Sequence, residues 1–192
     1  MPIEIERRFL IDAECLEQTW LSSLEFKEIS QIYLPRGEIE FDDIVSGINI
    51  SGHTIVMNID AGEWMDLLQI LSDDKLGIRL RIIEDLAFLT IKGNTIDGAR
   101  PEFEWPVDSV LVRQFFEHKS WPEIRKIRYY WSNDDVIWEI DVFTERHTGI
   151  IIAEVELERI EHPLNLPAWA NEEITNQDEW SNAALARNPD YS

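Results

Sequence analysis

Polar and apolar residues alternate with a period of two along most of this chain, the mark of strands with one buried face. The stretch Pro2-Ile3-Glu4-Ile5-Glu6-Arg7-Arg8-Phe9-Leu10 sets the pattern, with Glu4, Glu6 and Arg8 on one face. Residues 3–11 therefore read as a strand. Asp12 can cap a helix over about 13–24, with Cys15, Leu16, Trp20 and Leu24 as its apolar positions. Gln31-Ile32-Tyr33-Leu34 reads as a second strand, ended by Pro35 and Gly37. Further strands are expected at 77–83, 87–92, 100–106, 125–131, 136–143 and 150–159. Helices are expected at 108–116 and from 179 or 180 to about 187.

Residues 35–74 break this rhythm. Glu38, Glu40, Asp42 and Asp43 form an acidic segment. Ile48-Asn49-Ile50-Ser51 and residues 53–59 alternate like a hairpin, with Gly52 near its turn. Residues 63–72 read as a short amphipathic helix with Trp64, Leu67, Leu68 and Leu71 on one face. The chain is thus expected to be a single domain, 1–192, with an inserted subdomain or lid at about 35–74. A surface embellishment without a catalytic part is the plainer alternative for that insertion.

Charge is segregated by strand. Arg79 and Arg81 share one strand, and Lys126 and Arg128 another. Glu102 with Glu104, and Glu154 with Glu156, hold two more. A solvated face explains any one of these strands, but an ordinary wet sheet face mixes its charges. The opposite faces carry Ile, Leu, Val, Phe and Trp, which need covering, and the helices at 13–24 and 108–116 can cover them. The sheet then has an apolar outside and a charged inside, and closing it into a barrel leaves no exposed edges. Cations on one wall and carboxylates on another suit an anion held together with a divalent metal. Carboxylate oxygens are hard ligands for Mg²⁺, which takes its remaining ligands from water and phosphate. Arg and Lys neutralise phosphate directly.

Composition narrows the classes further. The 192 residues carry a net charge of -21, which argues against a broad basic surface for nucleic acid. The single cysteine, Cys15, excludes an intrachain disulfide framework and fits a reducing cytoplasm. No apolar run approaches the ~20 residues of a membrane-spanning helix, and the N-terminal stretch lacks the apolar core of a signal peptide. His53, His118, His147 and His162 fall outside the charged strands and read as ordinary surface or core histidines. The eight tryptophans read as packing residues.

Together these residues resemble the CYTH family of triphosphate tunnel metalloenzymes. The family signature Glu-x-Glu-x-Lys reads here as Glu4-Ile5-Glu6-Arg7-Arg8. Further matches are Arg79-Leu80-Arg81, Leu89-Thr90-Ile91-Lys92-Gly93, Arg100-Pro101-Glu102-Phe103-Glu104, Lys126-Ile127-Arg128, Trp138-Glu139-Ile140-Asp141 and Ala153-Glu154-Val155-Glu156. The tail, Glu173-Ile174-Thr175 followed by Trp180-Ser181-Asn182-Ala183-Ala184-Leu185, also looks like the family's closing segment. The resemblance covers most of the chain outside 35–74. One departure is Arg8 in place of the family lysine: it keeps the charge but is bulkier and cannot lose a proton. The insertion is the other.

The resemblance implies an α+β fold, an eight-stranded antiparallel closed β-barrel whose tunnel has a charged polar interior, flanked by helices. It implies hydrolysis of a small triphosphate, such as inorganic triphosphate, with Mg²⁺ or Mn²⁺. By the same resemblance Glu4, Glu6 and Glu156 bind metal, with Glu154 in support, and Glu102 and Glu104 orient cations or bind a second metal. Arg79, Arg81, Lys92, Arg100, Lys126 and Arg128 bind phosphate. Glu4, Glu6, Arg8 and Lys92 stand nearest the chemistry, and Asp141 is a more distant support. A class IV-type adenylate cyclase making cyclic AMP from ATP is the alternative enzyme. A non-catalytic module for phosphorylated ligands or a protein partner is the alternative outside enzymes. No nucleic-acid or membrane partner is expected, the location is expected to be cytoplasmic, and the oligomeric state, a homodimer included, is left open.

Overall fold

The computed structural model describes residues 3–72, 76–94, 99–159, 162–170 and 172–188, with the side chains of residues 3, 4 and 99 outside that description. Strand β1 (Ile3–Leu10) leads through the short helix α1 (Gln18–Leu21) into β2 (Glu25–Tyr33). Strands β3 (Ile39–Asp42), β4 (Gly47–Ile50) and β5 (His53–Val56) precede α2 (Ala61–Ile70). Then β6 (Gly77–Ile83), β7 (Leu86–Lys92) and β8 (Ala99–Val107) lead to α3 (Ser109–His118). After β9 (Glu123–Asn133), β10 (Val136–Phe143) and β11 (Ile151–Glu156), the two-residue β12 (Glu172–Glu173) and α4 (Asn182–Arg187) complete the order.

Three elements depart from the sequence pattern. The helix expected over 13–24 is only a 3₁₀ turn at Ala13–Cys15 and the four-residue α1, because Leu16 is extended and breaks the run. Asp12 does cap the turn, accepting from the Glu14 N–H. Strand β2 begins six residues earlier than expected, since Phe26 is 53% exposed and the first half of that strand shows little apolar alternation. Strand β3 lies in the acidic segment, where Ile39 and Phe41 alternate with Glu40 and Asp42. The hairpin and the helix of 35–74 are present as β4–β5 and α2. At the hairpin turn Gly52 takes a φ of 79°, which glycine adopts without strain.

The chain divides into two compact units. Among the described residues, the first is chiefly 31–94 and 100–123. Its strands β6, β7 and β8 pair antiparallel, so that Arg79, Thr90 and Glu104 fall in one cross-strand row and Leu80, Leu89 and Trp105 in the next. Period-two alternation sends Ile78, Leu80, Leu89, Ile91, Phe103 and Trp105 to one buried face. Val112 and Phe115 of α3 join that core. Asp108 starts α3 by accepting from the N–H groups of Val110 and Leu111. Strands β3, β4 and β5 form their own small sheet, yet Ile48, Ile50, Trp64 and Leu67 belong to the same core as Leu80 and Leu89. Segment 35–74 therefore has no separate core.

The second unit is chiefly 4–30 and 124–188. Its antiparallel order is β9, β10, β11, β1, β12. Phe9, Trp138, Ile140, Ala153 and Val155 make its core, with Leu16 and Leu21. Trp169 packs edge-on to Trp138 at 5.1 Å, and Trp20 edge-on to Trp131 at 5.5 Å. The tryptophans of this unit thus pack as the sequence implied.

The class is α+β with antiparallel strands. Each sheet is open when taken by itself, so the closed eight-stranded barrel is not a property of either unit alone. Among the described residues no helix is long and apolar enough to cross a membrane.

Leu89 is completely buried and Leu86, three residues away on the same strand, is 62% exposed. Leu89→Ala should lower the unfolding free energy by about 2–5 kcal/mol, and Leu86→Ala by less than about 0.5 kcal/mol. Urea denaturation of both variants checks this.

Candidate functional site

The polar face of β6, β7 and β8 is the opposite of the one packed on α3. Arg79 and Arg81 come from β6, Thr90 and Lys92 from β7, and Arg100, Glu102 and Glu104 from β8. Glu104 takes two hydrogen bonds from Arg81 NH2, at 3.0 and 2.8 Å. The Thr90 hydroxyl donates to Glu104 Oε2 at 2.7 Å and accepts from Arg79 NH2 at 3.1 Å. Lys92 Nζ lies 2.9 Å from Glu102 Oε2, its cross-strand partner. Four cations thus share this face with two carboxylates. Arg79 Nε is buried and has no hydrogen-bond partner among the described residues. A buried donor without an acceptor is costly, and an anion is the natural partner for one on a guanidinium.

On the polar face of the second unit the buried charges form a balanced network instead. Arg128 reaches Asp141 through Nε at 2.7 Å and NH2 at 2.6 Å, and reaches Glu154 Oε2 at 2.8 Å. It also pairs with Glu139, and Lys126 pairs with Asp141. Arg8 donates through Nε to Glu154 Oε1 at 2.9 Å and through NH2 to the Trp180 carbonyl at 2.8 Å. Three cations meet three carboxylates. The strand register dictates this: Glu139, Glu154 and Arg8 are successive cross-strand partners on β10, β11 and β1, and Arg128 stands opposite Asp141. Fully buried Ile152 and Phe143 lie on the same face and keep water away.

Burial drives the titration of this network. It pulls Lys126 down to about 8, against the restoring pull of Asp141. It pushes Glu139 up, against the opposing pull of Arg128. Burial would also raise Glu154, but Arg8, Lys126 and Arg128 together hold it well below the usual carboxylate range. Burial would lower Arg128, and Asp141, Glu154 and Glu139 more than reverse that.

The sequence-expected residues therefore separate into groups. Arg79, Arg81, Lys92, Arg100, Glu102 and Glu104 share one face of the first unit. Arg8, Lys126, Arg128 and Glu154 form one network in the second, with Asp141 at its centre and wholly buried. Glu154 has both oxygens engaged by arginines. Glu6 and Glu156 are direct partners across β1 and β11, so their side chains rise from the same face. Glu6 is half-buried, Glu156 is exposed, and Glu4 shares their strand face with its side chain outside the described residues. Among the described residues no three Asp, Glu, His or Cys groups are gathered to hold a metal by themselves. A pair of hard carboxylate donors nonetheless fits Mg²⁺, which binds through one or two carboxylates together with substrate phosphates.

Sequence reasoning carried Thr90 within Leu89-Thr90-Ile91-Lys92-Gly93 without a role, and missed the Trp180 carbonyl and the weight carried by Glu139. A threonine at a strand position is the commonest of signals, and a backbone carbonyl has no sequence signal at all. Glu139 had one, since it alternates with Asp141. His147 is buried, with Nε2 at 2.8 Å from the Leu185 carbonyl, a packing role as expected.

Residues 69–183 match the CYTH domain. The chain belongs to the CYTH domain family. An inorganic triphosphatase of Acetivibrio thermocellus is 30% identical over 121 residues, which are 62% of this chain and 78% of that protein. A crystal structure of an inorganic triphosphatase aligns with a TM-score of 0.57 at 22% identity, over 96% of this chain and 98% of that one. A Bacillus halodurans protein described as a candidate adenylate cyclase aligns with a TM-score of 0.52 at 17% identity, over 84% and 85%. At these identities the two structures show a shared fold. The CYTH match takes in β6 to β11 and leaves out β1, whose Glu6 and Arg8 pair with Glu156 and Glu154 of β11.

Lys126 gives a pH test. Its value drops from 10.5 to about 8 on folding, so between these limits the unfolded chain binds more protons than the folded one. Stability contributed through Lys126 must then rise with pH across that window. Urea denaturation at pH 7.5 to 10 should show a more positive slope for the wild type than for Lys126→Met. Equal slopes would contradict the burial of a charged lysine.

Proposed function

We propose that this protein is a metal-dependent triphosphatase acting on inorganic triphosphate or a related small triphosphate. The observation that carries the reading is the cation excess on β6, β7 and β8, with the buried Arg79 Nε lacking an acceptor among the described residues. CYTH membership and the triphosphatase relative support it. In this reading eight antiparallel strands close into a barrel with the charged faces inside, and the substrate lies in that tunnel.

Arg79, Arg81, Lys92 and Arg100 hold the phosphate oxygens, because charge-assisted donors in a water-poor site stabilise the charge that develops in phosphoryl transfer. Lys126 and Arg128 extend the set, and Glu102 and Glu104 aim the cations beside them. Glu6 and Glu156, with Glu4, would hold Mg²⁺ or Mn²⁺. A bound divalent cation supplies charge neutralisation on phosphate oxygens and acidifies a bound water. Arg8 and Glu154 keep one another and Arg128 in place. The remaining work of the chain is to orient the phosphate chain and exclude bulk water. Turnover of a small anion fits an acidic protein only if the positive face is confined, as it is here.

Phosphate release from tripolyphosphate with Mg²⁺ or Mn²⁺, beside cyclic AMP production from ATP, tests the reading. Metal-dependent phosphate release that chelator abolishes is expected, with Arg79→Ala lowering kcat/KM roughly ten- to a thousandfold. Glu156→Gln should abolish turnover and leave the thermal unfolding midpoint near that of the wild type. Cyclic AMP as the main product, or tight binding with no turnover, would replace this reading with the cyclase or the binding module.

A further inference from the structure

Among the described residues, the Thr90 hydroxyl stands between a cation and a carboxylate on the face that carries the cation excess, and the motif Leu89-Thr90-Ile91-Lys92-Gly93 gave it no role. It is completely buried. It stands in the cross-strand row Arg79, Thr90, Glu104, so all three side chains rise from one face. The hydroxyl donates to Glu104 Oε2 at 2.7 Å and accepts from Arg79 NH2 at 3.1 Å.

A hydroxyl has one proton and two lone pairs. An ionised carboxylate can accept but not donate, so Glu104 fixes the proton of Thr90 on its own side. The lone pairs of Thr90 are then turned to Arg79. Glu104 itself is 3.6 Å from Arg79 NH2, at the edge of a direct bond, and is already engaged by Arg81. The hydroxyl therefore does for Arg79 what Glu104 is too far away to do well. Arg79 is fixed through NH2, while its buried Nε lacks a partner among the described residues. A long flexible cation held at one nitrogen loses less freedom when a ligand takes another.

We propose that Thr90 is a positioning residue for the phosphate grip: its hydroxyl, held by Glu104, aims the Arg79 guanidinium at a substrate phosphate. The proposal rests on the triphosphatase reading of this face. Thr90 does not touch the substrate. Its removal weakens binding without altering the chemical step.

Thr90→Val keeps the shape and removes both hydrogen bonds, whereas Thr90→Ser keeps the hydroxyl. Tripolyphosphate affinity is measured by calorimetry without metal, and steady-state hydrolysis with Mg²⁺. Thr90→Val should raise Kd and KM about tenfold, the scale of one charge-assisted contact, with kcat within about threefold of wild type. Thr90→Ser should stay within about twofold of wild type in both. If Thr90→Val does not fold, Thr90→Ala is read in its place. A hydroxyl with only a structural role would lower the melting temperature and leave Kd and KM unmoved, which would overturn the proposal. Wild-type binding without hydrolysis, with the same tenfold loss in Thr90→Val, would overturn the triphosphatase reading and leave the role of Thr90 standing. Absence of tripolyphosphate binding by the wild type would overturn both.

Discussion

Charge that is taken out of water must be answered by charge or by a ligand; this chain answers it with charge in the second unit and leaves the Arg79 Nε without an acceptor among the described residues of the first. Arg128 is held by Asp141, Glu139 and Glu154 at once. Isolated, any of these groups would be too costly to bury. The register of β9, β10, β11 and β1 exists to keep them together. A slip of one residue would send every charge to the tryptophan-lined core face. The balance is therefore also a constraint on topology.

The two polar faces differ in what remains over. In the second unit the buried network matches three cations with three carboxylates, burial shifts their titration, and Glu6 and Glu156 add further carboxylates beside it. In the first unit cations outnumber carboxylates, and Arg79 Nε is buried without a hydrogen-bond partner among the described residues. Breaking a buried pair is strongly unfavourable, so the matched network is suited to holding shape. An unmatched donor is suited to holding an anion. Arg8 illustrates the first role. Its fork spans Glu154 and the Trp180 carbonyl, two partners that a compact ammonium serves less well. Arginine in place of the family lysine thus gives the closing segment a direct tie to β1. Arg7 adds another on the opposite strand face through Glu173, whose carboxylate the hydrogen bond from Arg7 holds below its ordinary range.

Much of this was legible in the sequence because period two is a strong signal when one face is charged and the other apolar. The β6, β7, β9 and β10 strands, the α3 helix and the segregation of Arg79, Arg81, Lys126 and Arg128 could all be read directly. The helix at 13–24 could not, because the apolar positions Cys15, Leu16, Trp20 and Leu24 do not reveal that Leu16 turns extended. The first half of β2 was hidden by exposed Phe26. The partners of each charge were hidden too. Alternation says that Glu154 and Arg128 share a face of their own strands, but only register says that they meet. The sequence offered Glu154 as a support for metal binding, and its contacts with Arg8 and Arg128 could be seen only once the strands were paired. Segment 35–74 read as an addition, and its hairpin and helix are present, but its isoleucines and Trp64 are part of the first unit's core.

A crystal structure with tripolyphosphate and Mn²⁺ bound is the most direct test of the central claim, that the charged faces, opposite the packed ones, hold the substrate. The account predicts phosphate oxygens on Arg79, Arg81, Lys92 and Arg100, with Arg79 Nε donating to one of them and an anomalous Mn²⁺ peak beside Glu6 and Glu156. Tripolyphosphate bound elsewhere, with those side chains turned to solvent and the metal away from both carboxylates, would contradict it.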